Sequence, residues 1–556
     1  MKQELESLIT SVAKSVYGAD IVVELTRPEE KFGDYSTNIA LQMARQMGKN
    51  PREVADELAT AVKEQLEDKV ESVDVAGPGF INVRLRGSYL EENLQDMPDK
   101  RLAGKTAVAE YSDPNPFKVL HAGHLYTSVV GDAIANLLEQ AGATVHRVNF
   151  GGDVGLHVGK TMWAIIQELG GEDPAGLQAI NPAKRSEWMA GAYVRGTRAY
   201  EDDEAAKTAI VALNKRVYQL HDEDDHESPF AQIYWTCRQW SYDYFNDFYA
   251  RIGTRFEKYY PESETAPIGL KTVREHTGSV YQESDGAVVF DGEKYGLHTR
   301  VFINSEGLPT YEAKDVGLLM LKQHDYQPDT SVIITGNEQE QYLAVVLKSV
   351  EQFAPELVKA TTHLTHGIVK LQGGVKMSSR KGNFLRAVDV LDAAARANQA
   401  FTGQDSDDTV LGAVKYAFLK NRMGGDIIYD PEESVSLEGN SGPYLQYAHA
   451  RARSILRKVE ERPGGEGNSD FEQGERTLAR KISEYPEVVN KAAMELMPHY
   501  ICTYLYELAQ TFNRFYEHNR VLGDARQDTR LMLVNRYADT LKNGLGLLGI
   551  AAPDKM

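Results

Sequence analysis

The sequence predicts a multidomain α/β protein, with a parallel-sheet central domain between a small α+β domain and an all-α domain. The first reason is length, since 556 residues allow about three or four domains of roughly 150 residues each. The second is the order strand, glycine-bearing turn, helix, strand over residues 106–149, which predicts a βαβ unit. The third is apolar spacing that is almost entirely helical from about residue 430 onward.

Residues 1–87 are predicted to form the small α+β domain. Apolar residues repeat at helical spacing over residues 8–16, and residues 73–85 read as strand, turn, strand. The polar residues 88–104 are predicted to link this domain to the next one.

The α/β domain is predicted to span residues 105–370. A charged, aromatic-rich helical stretch at about 160–285 is interpreted as an insertion within it. Residues 371–430 are expected to form a loop and connecting region, and residues 431–556 the all-α domain.

Composition and charge narrow the class of protein. Hydrophobic residues make up 42% of the chain and charged residues 26%, which excludes a mostly disordered protein. The formal net charge of −20 argues against a protein that binds nucleic acid nonspecifically over its surface. A chain of this net charge can still carry a local basic region that binds nucleic acid. Cys237 and Cys502 form no CxxC pair, so a cysteine zinc site is not expected, and a reducing cytoplasm fits. We also expect no membrane span and no signal peptide.

A His-Ala-Gly-His motif stands at residues 121–124, between the first strand of the βαβ unit and its helix. Turns at the carboxyl ends of parallel strands bind ligands in α/β sheets. Gly123 lets a planar ligand approach the backbone, and His121 and His124 at a helix N-terminus suit contact with phosphate oxygens. The alternative, a pair of capping or core histidines, stays open for the motif alone.

A basic loop follows two glycines late in the α/β region. It reads Lys376-Met377-Ser378-Ser379-Arg380-Lys381-Gly382 and suits a mobile clamp for a polyphosphate. As an isolated segment it would be better interpreted as a solvated basic loop.

Together the two motifs resemble the HIGH and KMSKS signatures of class I aminoacyl-tRNA synthetases. Further segments resemble arginyl-tRNA synthetases in particular, in the same order and across nearly the whole chain: Phe32-Gly33-Asp34-Tyr35, Gly77-Pro78-Gly79-Phe80, Ser112-Asp113-Pro114-Asn115, Gly152-Asp153-Val154-Gly155, Pro309-Thr310-Tyr311 and Gly442-Pro443-Tyr444. The resemblance implies a Rossmann-like catalytic domain, an N-terminal domain that binds the tRNA elbow and a helical anticodon-binding domain.

The resemblance also implies a reaction. L-arginine would be activated with ATP to arginyl-adenylate and transferred to the 3′ end of tRNA(Arg), and in this family activation usually requires the tRNA. Mg²⁺ would come bound to ATP, with no structural metal in the protein, and the family expectation is a cytoplasmic monomer. Two alternatives stay open: another class I synthetase for a cationic amino acid, and a noncatalytic tRNA-binding paralogue.

Particular residues receive roles from the resemblance. Catalysis is assigned to His121, His124, Lys118, Lys376, Arg380 and Lys381. Nucleotide binding is assigned to Gly123, Met377, Ser378, Ser379, Gly152 and Asp153. Amino-acid binding is assigned to Asn115, together with His121, at the α-amino and carboxylate end and to Glu110, Tyr311 and Asp315 at the side chain. A guanidinium requires such carboxylates and acceptors.

Lys118 is assigned its role because Ser379 stands where KMSKS has its second lysine. Family members without that lysine are thought to use the lysine before the histidine motif instead. For tRNA, the resemblance suggests Phe32 and Tyr35 as elbow contacts. The C-terminal aromatics are either core residues or base-stacking residues, among them Tyr447, Tyr504, Phe512 and Phe515.

Overall fold

The computed structural model describes residues 1–18, 21–372, 385–403, 406–459 and 470–556. The predicted clamp loop lies outside these residues, and with it Lys376, Met377, Ser378, Ser379, Arg380 and Lys381. None of the helices in the described ranges combines the length and the apolar character needed to cross a membrane.

The N-terminal unit packs helices against a three-stranded antiparallel sheet. Its elements are α1 (Lys2–Tyr17), β1 (Tyr35–Thr37), α2 (Ile39–Met47), α3 (Pro51–Gln65), β2 (Val70–Ala76), β3 (Phe80–Leu85) and α4 (Gly87–Glu92). The strands lie in the order β1-β3-β2, and β2 and β3 form the hairpin that the sequence predicts. Apolar residues of the helices and the sheet, among them Leu58 and Ile81, form one core.

The central region holds the parallel sheet, its connecting helices and the inserted helices. Its elements are β4 (Thr106–Glu110), α5 (Ala122–Gln140), β5 (Thr144–Gly151), α6 (Leu156–Leu169), α7 (Arg185–Asp202), α8 (Glu204–Asp222), α9 (Pro229–Ile252), β6 (Lys258–Pro261), α10 (Glu262–Glu275), β7 (Gln282–Ser284), β8 (Ala287–Phe290), β9 (Arg300–Ile303), α11 (Tyr311–Tyr326), β10 (Thr330–Gly336), α12 (Glu340–Glu351), α13 (Pro355–Ala360), β11 (Thr361–His366), β12 (Val369–Leu371), α14 (Ala387–Thr402), α15 (Asp407–Leu419) and β13 (Ile427–Tyr429).

Parallel strands in the order β11-β10-β4-β5-β6 form the central sheet, which confirms the predicted fold class. The chain runs from β4 outward through β5 to β6, and later returns to the other side of β4 with β10 and β11. The strand order therefore reverses between β4 and β10. Open α/β sheets bind ligands at such a reversal, in the crevice beyond the carboxyl ends of the strands.

The predicted insertion at about 160–285 extends too far at its C-terminal end. Both β6 and α10 fall within that range, yet β6 pairs with β5 as the edge strand of the central sheet. The strand has only four residues, Lys-Tyr-Tyr-Pro, and follows a long amphipathic helix, so apolar spacing does not reveal it.

The C-terminal region is helical, as predicted. Its elements are α16 (Pro431–Ser434), α17 (Gly442–Leu456), α18 (Gln473–Ile482), α19 (Tyr485–Glu495), α20 (His499–His518) and α21 (Gln527–Leu547). The rings of Phe512 and Tyr537 stack in its core with centroids 3.8 Å apart. Tyr504 and Phe515 are also buried, whereas Tyr447 is 44% exposed. Most of the aromatics that the sequence left open are therefore core residues.

The segment Phe32-Gly33-Asp34-Tyr35 joins the N-terminal unit to the C-terminal helices. The Tyr35 hydroxyl donates to Glu487 of α19 at 2.7 Å, and the Arg27 guanidinium donates to the same oxygen at 2.6 Å. Tyr35 is fully buried in this contact. Because the Tyr35 side chain is buried against α19, the suggestion that it contacts tRNA is wrong. Its partner lies some 450 residues away in sequence, so no local pattern reveals this contact.

A buried ion pair between Asp34 and Arg476 completes this contact. We call the whole set of residues, Arg27, Asp34, Tyr35, Arg476 and Glu487, the interdomain clasp. Arg476 of α18 donates to Asp34 at 2.6 Å, and the side chains of both residues are almost fully buried. Replacing one partner leaves the other charge without compensation in the interior, which is costly.

Replacing Arg476 with methionine is expected to lower the free energy of unfolding by about 3 kcal/mol, because Asp34 would remain buried with the Leu85 N–H and the more distant cation of Arg480 as its partners. Urea unfolding of the full chain measures this change. The control is Arg84→Met, which removes a solvent-exposed pair with Glu71 and should cost less than about 1 kcal/mol. Equal effects of the two substitutions would contradict the importance of the clasp.

Candidate active site

The histidine motif lies at the carboxyl end of β4 and begins α5. His121 is the N-cap residue, and its Nδ1 accepts a hydrogen bond from the Gly123 N–H at 3.1 Å. The Nδ1 of His124 accepts from the His121 N–H, also at 3.1 Å. The two rings stack with centroids 3.7 Å apart. Both histidines are thus capping residues, but capping uses only one nitrogen of each ring.

The second nitrogen of each ring determines what the histidines offer to a ligand. A neutral imidazole whose Nδ1 accepts carries its proton on Nε2, so each ring has an Nε2–H donor. Burial lowers the pKa of His124 well below its usual range, and His121 and Lys118 add to this shift by their charge. Burial and then Lys118 lower the pKa of His121 to about 4, although part of its ring is exposed. Near neutral pH both rings are uncharged donors, which suits oxygens on which negative charge develops.

Gly123 permits this arrangement because a side chain would collide with the His121 ring. A Cβ atom at position 123 would lie 2.9 Å from Cε1 and Nδ1 of that ring. Gly123→Ala is therefore expected to displace the ring and to lower the turnover number of adenylate formation about tenfold. Gly546→Ala in α21 is the matched control, since a Cβ there meets no atom within 4 Å. Similar turnover numbers for the two variants would contradict the proposed role of the ring position.

Lys118 is held beside the motif by the inserted helices. The N–H of Phe117 donates to the Ser241 hydroxyl of α9 at 2.9 Å, and the Lys118 ammonium lies 4.9 Å from the centre of the Tyr193 ring of α7. Burial lowers the pKa of Lys118, and the carboxylate of Glu262 opposes that shift. A cation is thus available next to both histidines.

The Gly152-Asp153 turn at the end of β5 contacts the segment that precedes the motif. The Gly152 N–H donates to Oδ1 of Asn115 at 2.7 Å, and Nε2 of His157 lies 2.8 Å from the Gly152 oxygen. The carboxamide oxygen of Asn115 is therefore engaged within the protein, so its NH₂ group is the part suited to donate to a ligand.

Asp153 lies inside the protein rather than on the crevice surface. Its carboxylate accepts from the N–H and the hydroxyl of Ser263 at 2.9 and 2.7 Å, and from Nε of Arg238 at 2.9 Å. It is fully buried. These bonds tie the end of β5 to the start of α10 and to α9, and so they hold the turn in place.

Two buried carboxylates near the crevice are neutralised by lysines of α11. Glu110 ends β4 and pairs with Lys322, and Glu262 begins α10 and pairs with Lys314 at 2.6 Å. All four side chains are at most 5% exposed. A buried carboxylate with a lysine partner is already compensated in charge.

Asp315 of α11 differs from those two carboxylates. It has no salt bridge within the described part of the chain, and its hydrogen-bond donor is the Tyr342 hydroxyl of α12. Burial raises the pKa of Asp315 to about 7, the bond from Tyr342 opposes the rise, and the charges of Glu110 and Glu262 add to it. Tyr311, one turn earlier, is 56% exposed. This part of the crevice therefore offers a cationic ligand a carboxylate, that of Asp315, which forms no salt bridge with the described lysines.

Sequence reasoning missed the four residues that shape this electrostatic pattern: Glu262, Lys314, Lys322 and Tyr342. The apolar spacing of α11 gives one usable signal, since Lys322 follows Leu318 and Leu319 at helical spacing and thus falls on the buried face. Glu262 and Lys314 meet because α10 and α11 cross closely. A Cβ on Gly269 would lie 1.7 Å from the backbone oxygen of Ala313.

Three family models match successive parts of the chain. The arginyl tRNA synthetase N-terminal domain matches residues 1–85, the catalytic domain of class I (R) tRNA synthetases matches residues 89–429, and the DALR anticodon binding domain matches residues 445–556. The chain belongs to the class I arginyl-tRNA synthetases. This confirms the family that the two motifs and their neighbouring segments predicted.

Full-length relatives of this synthetase agree with that assignment. The arginine–tRNA ligase of a Picosynechococcus species is 30% identical, with 100% of both chains covered. That of Bacteroides fragilis is 28% identical over 99% of both chains. The structure of Thermus thermophilus arginyl-tRNA synthetase is similar with a TM-score of 0.81 and 27% identity, over 100% of both chains. The chain therefore matches these relatives over their whole length, and its three regions follow the predicted order: N-terminal, Rossmann-like and helical anticodon-binding.

Proposed function

We propose that this synthetase activates arginine with ATP in the crevice between β4 and β10 and then transfers it to tRNA(Arg). The carrying observation is that two neutral histidine donors at the end of β4 and Asp315, a carboxylate without a salt bridge among the described residues, lie on elements that border this crevice. The histidines suit the phosphates of ATP, and the carboxylate suits a guanidinium.

In the first step, an oxygen of the arginine carboxylate attacks the α-phosphorus of ATP, and the bond to the pyrophosphate oxygen breaks. The Nε2–H groups of His121 and His124 donate to the phosphate oxygens, and Lys118 balances their charge. The clamp loop is proposed to hold the leaving pyrophosphate through Lys376, Arg380 and Lys381. In the second step a ribose hydroxyl of the 3′-terminal adenosine attacks the acyl carbon, and AMP leaves.

The amino acid is proposed to bind with its side chain toward Asp315, Glu110 and Tyr311, and with its carboxylate near the Asn115 NH₂ group. Among the described residues Asp315 has no cationic partner, whereas Glu110 has Lys322 as its partner. Asp153 is proposed to position Gly152 next to the substrates, because its oxygens are engaged by Ser263 and Arg238.

The remaining partners follow from the family. We propose that residues 1–87 contact the tRNA elbow, with exposed Phe32 as a candidate, and that residues 431–556 hold the anticodon loop, with exposed Tyr447 as a candidate for base stacking. Mg²⁺ is proposed to arrive bound to ATP, because it prefers phosphate oxygens as ligands. A cytoplasmic monomer is proposed as well, and light scattering near 62.0 kDa would support it.

Charging of bulk tRNA with labelled arginine tests the proposed function. We expect arginine to be attached, and a hundredfold excess of unlabelled lysine to leave the rate unchanged. Attachment of lysine instead would indicate a synthetase for another cationic amino acid. Binding of tRNA without attachment of any amino acid would indicate a noncatalytic paralogue.

A further inference from the structure

Tyr342 occupies an unusual position among the groups around the crevice. It lies in the first turn of α12, directly beyond β10, and its hydroxyl donates to Oδ2 of Asp315 on α11. Glu110 and Glu262 are held by lysines instead. Asp315 thus has a neutral donor where Glu110 and Glu262 have cations.

We propose that Tyr342 is a positioning residue for arginine: its hydroxyl fixes the Asp315 carboxylate and stabilises its ionised form for the guanidinium. This inference rests on the proposed function, in which Asp315 binds the arginine side chain. A lysine in the place of Tyr342 would neutralise Asp315 and compete with the substrate. A hydroxyl orients the carboxylate and leaves its negative charge to the guanidinium, with Oδ1 still able to accept.

The charges around Asp315 make such a donor necessary. Glu110 from β4 and Glu262 from α10 disfavour its ionised form, and Asp315 and Asp113, which follows β4, disfavour each other's ionised form, whereas Lys322 from α11 favours it. Burial raises the pKa of Asp315 to about 7, and the Tyr342 bond is the largest influence that lowers it. Loss of the hydroxyl is therefore expected to keep Asp315 protonated to a higher pH.

The groups around Tyr342 itself belong to neighbouring elements. Arg300 of β9 lies with its guanidinium 5.4 Å from the centre of the Tyr342 ring and donates to Glu312 of α11. Glu312 and Glu262, together with Asp315, raise the pKa of the Tyr342 hydroxyl beyond the effect of burial. Tyr342 therefore stays protonated, and it acts as a donor throughout the range in which Asp315 titrates.

Tyr342→Phe tests the proposal in pyrophosphate exchange by the full chain with tRNA present, at pH values from 6 to 9. We expect the KM for arginine to rise about fivefold to tenfold over that of the unsubstituted protein at pH 6.5, and less than twofold at pH 9, because a lost bond to a carboxylate shifts its pKa by about one unit. The ratio of the two proteins at each pH cancels the ionisation of the substrate. The KM for ATP should stay within twofold.

Tyr281→Phe is the matched control. Its side chain is buried and its hydroxyl lies 3.1 Å from the Ser349 hydroxyl of the same helix α12, but it has no hydrogen bond to Asp315. A ratio for Tyr342→Phe that is flat across the pH range, or that equals the ratio for Tyr281→Phe, would overturn the inference.

Asp315→Asn separates this inference from the proposed function. If Asp315→Asn raises the KM for arginine and Tyr342→Phe does not, the inference fails and the proposed function stands. If neither substitution raises it, the proposed function of the crevice fails as well.

Tyr342→Gln replaces Tyr342→Phe if the latter does not fold, because glutamine keeps a donor that does not titrate. We expect its KM for arginine at pH 6.5 to lie within threefold of that of the unsubstituted protein. A larger rise that is confined to arginine but does not change with pH would overturn the inference.

Discussion

Replacing His124 with alanine is expected to slow arginine-dependent pyrophosphate exchange about 10²–10³-fold at saturating arginine and ATP. The substitution removes an Nε2–H donor where charge develops on the phosphate. It also removes the acceptor of the His121 N–H and the ring on which His121 stacks. The loss should appear in the turnover number rather than in the KM for arginine, because the donor acts mainly in the transition state.

His324→Ala is the control for that experiment, because His324 lies on α11 with its side chain 83% exposed and should leave the rate unchanged. The lowered pKa values of the two histidines also predict how the turnover number depends on pH. Since the pKa of His121 is lowered to about 4 and that of His124 is lowered as well, the turnover number should not fall as the pH rises from 6 to 8. A His124→Ala rate within threefold of the unsubstituted rate would contradict the account of catalysis.

Replacing Asp315 with asparagine is expected to raise the KM for arginine about 10²-fold, with a small effect on the KM for ATP. The guanidinium would lose a charge-assisted hydrogen bond in a partly buried site, and asparagine would present no charge to replace it. With the pKa of Asp315 raised to about 7, the KM for arginine in the unsubstituted protein should rise as the pH falls below 7. That dependence should disappear in the variant, because the group that takes up the proton is gone.

Asp325→Asn provides the matched control on the same helix. Asp325 accepts from Lys258 and Tyr260 at 2.6 Å, on the far end of α11 from Tyr311. Its substitution should leave the KM for arginine within twofold. If Asp315→Asn behaves like this control, another group must bind the guanidinium.

Local patterns were sufficient to predict the parts of this synthetase that depend on near neighbours in sequence. The βαβ unit follows from apolar spacing and its glycine-bearing turn, and the position of His121 beyond the carboxyl end of β4 follows from that unit. The hairpin of β2 and β3 is predicted for the same reason, since its two strands are joined by a short glycine-containing turn.

Contacts between distant segments account for what the sequence did not reveal. Helical spacing places Lys322 on the buried face of α11, but only the fold shows that its partner is Glu110 of β4. Tyr35 looks like an exposed aromatic until α19 brings Glu487 to its hydroxyl. In both cases a buried polar group requires a partner, and the partner comes from elsewhere in the chain. Such pairs depend on the fold, so spacing along the chain does not identify them.

Pyrophosphate exchange into ATP, with each standard amino acid and with or without bulk tRNA, tests the central claim most directly. We expect exchange with arginine alone, and only when tRNA is present. Exchange with another amino acid would contradict the assignment of the crevice around Asp315, and absence of exchange under every condition would contradict catalysis by the histidine motif.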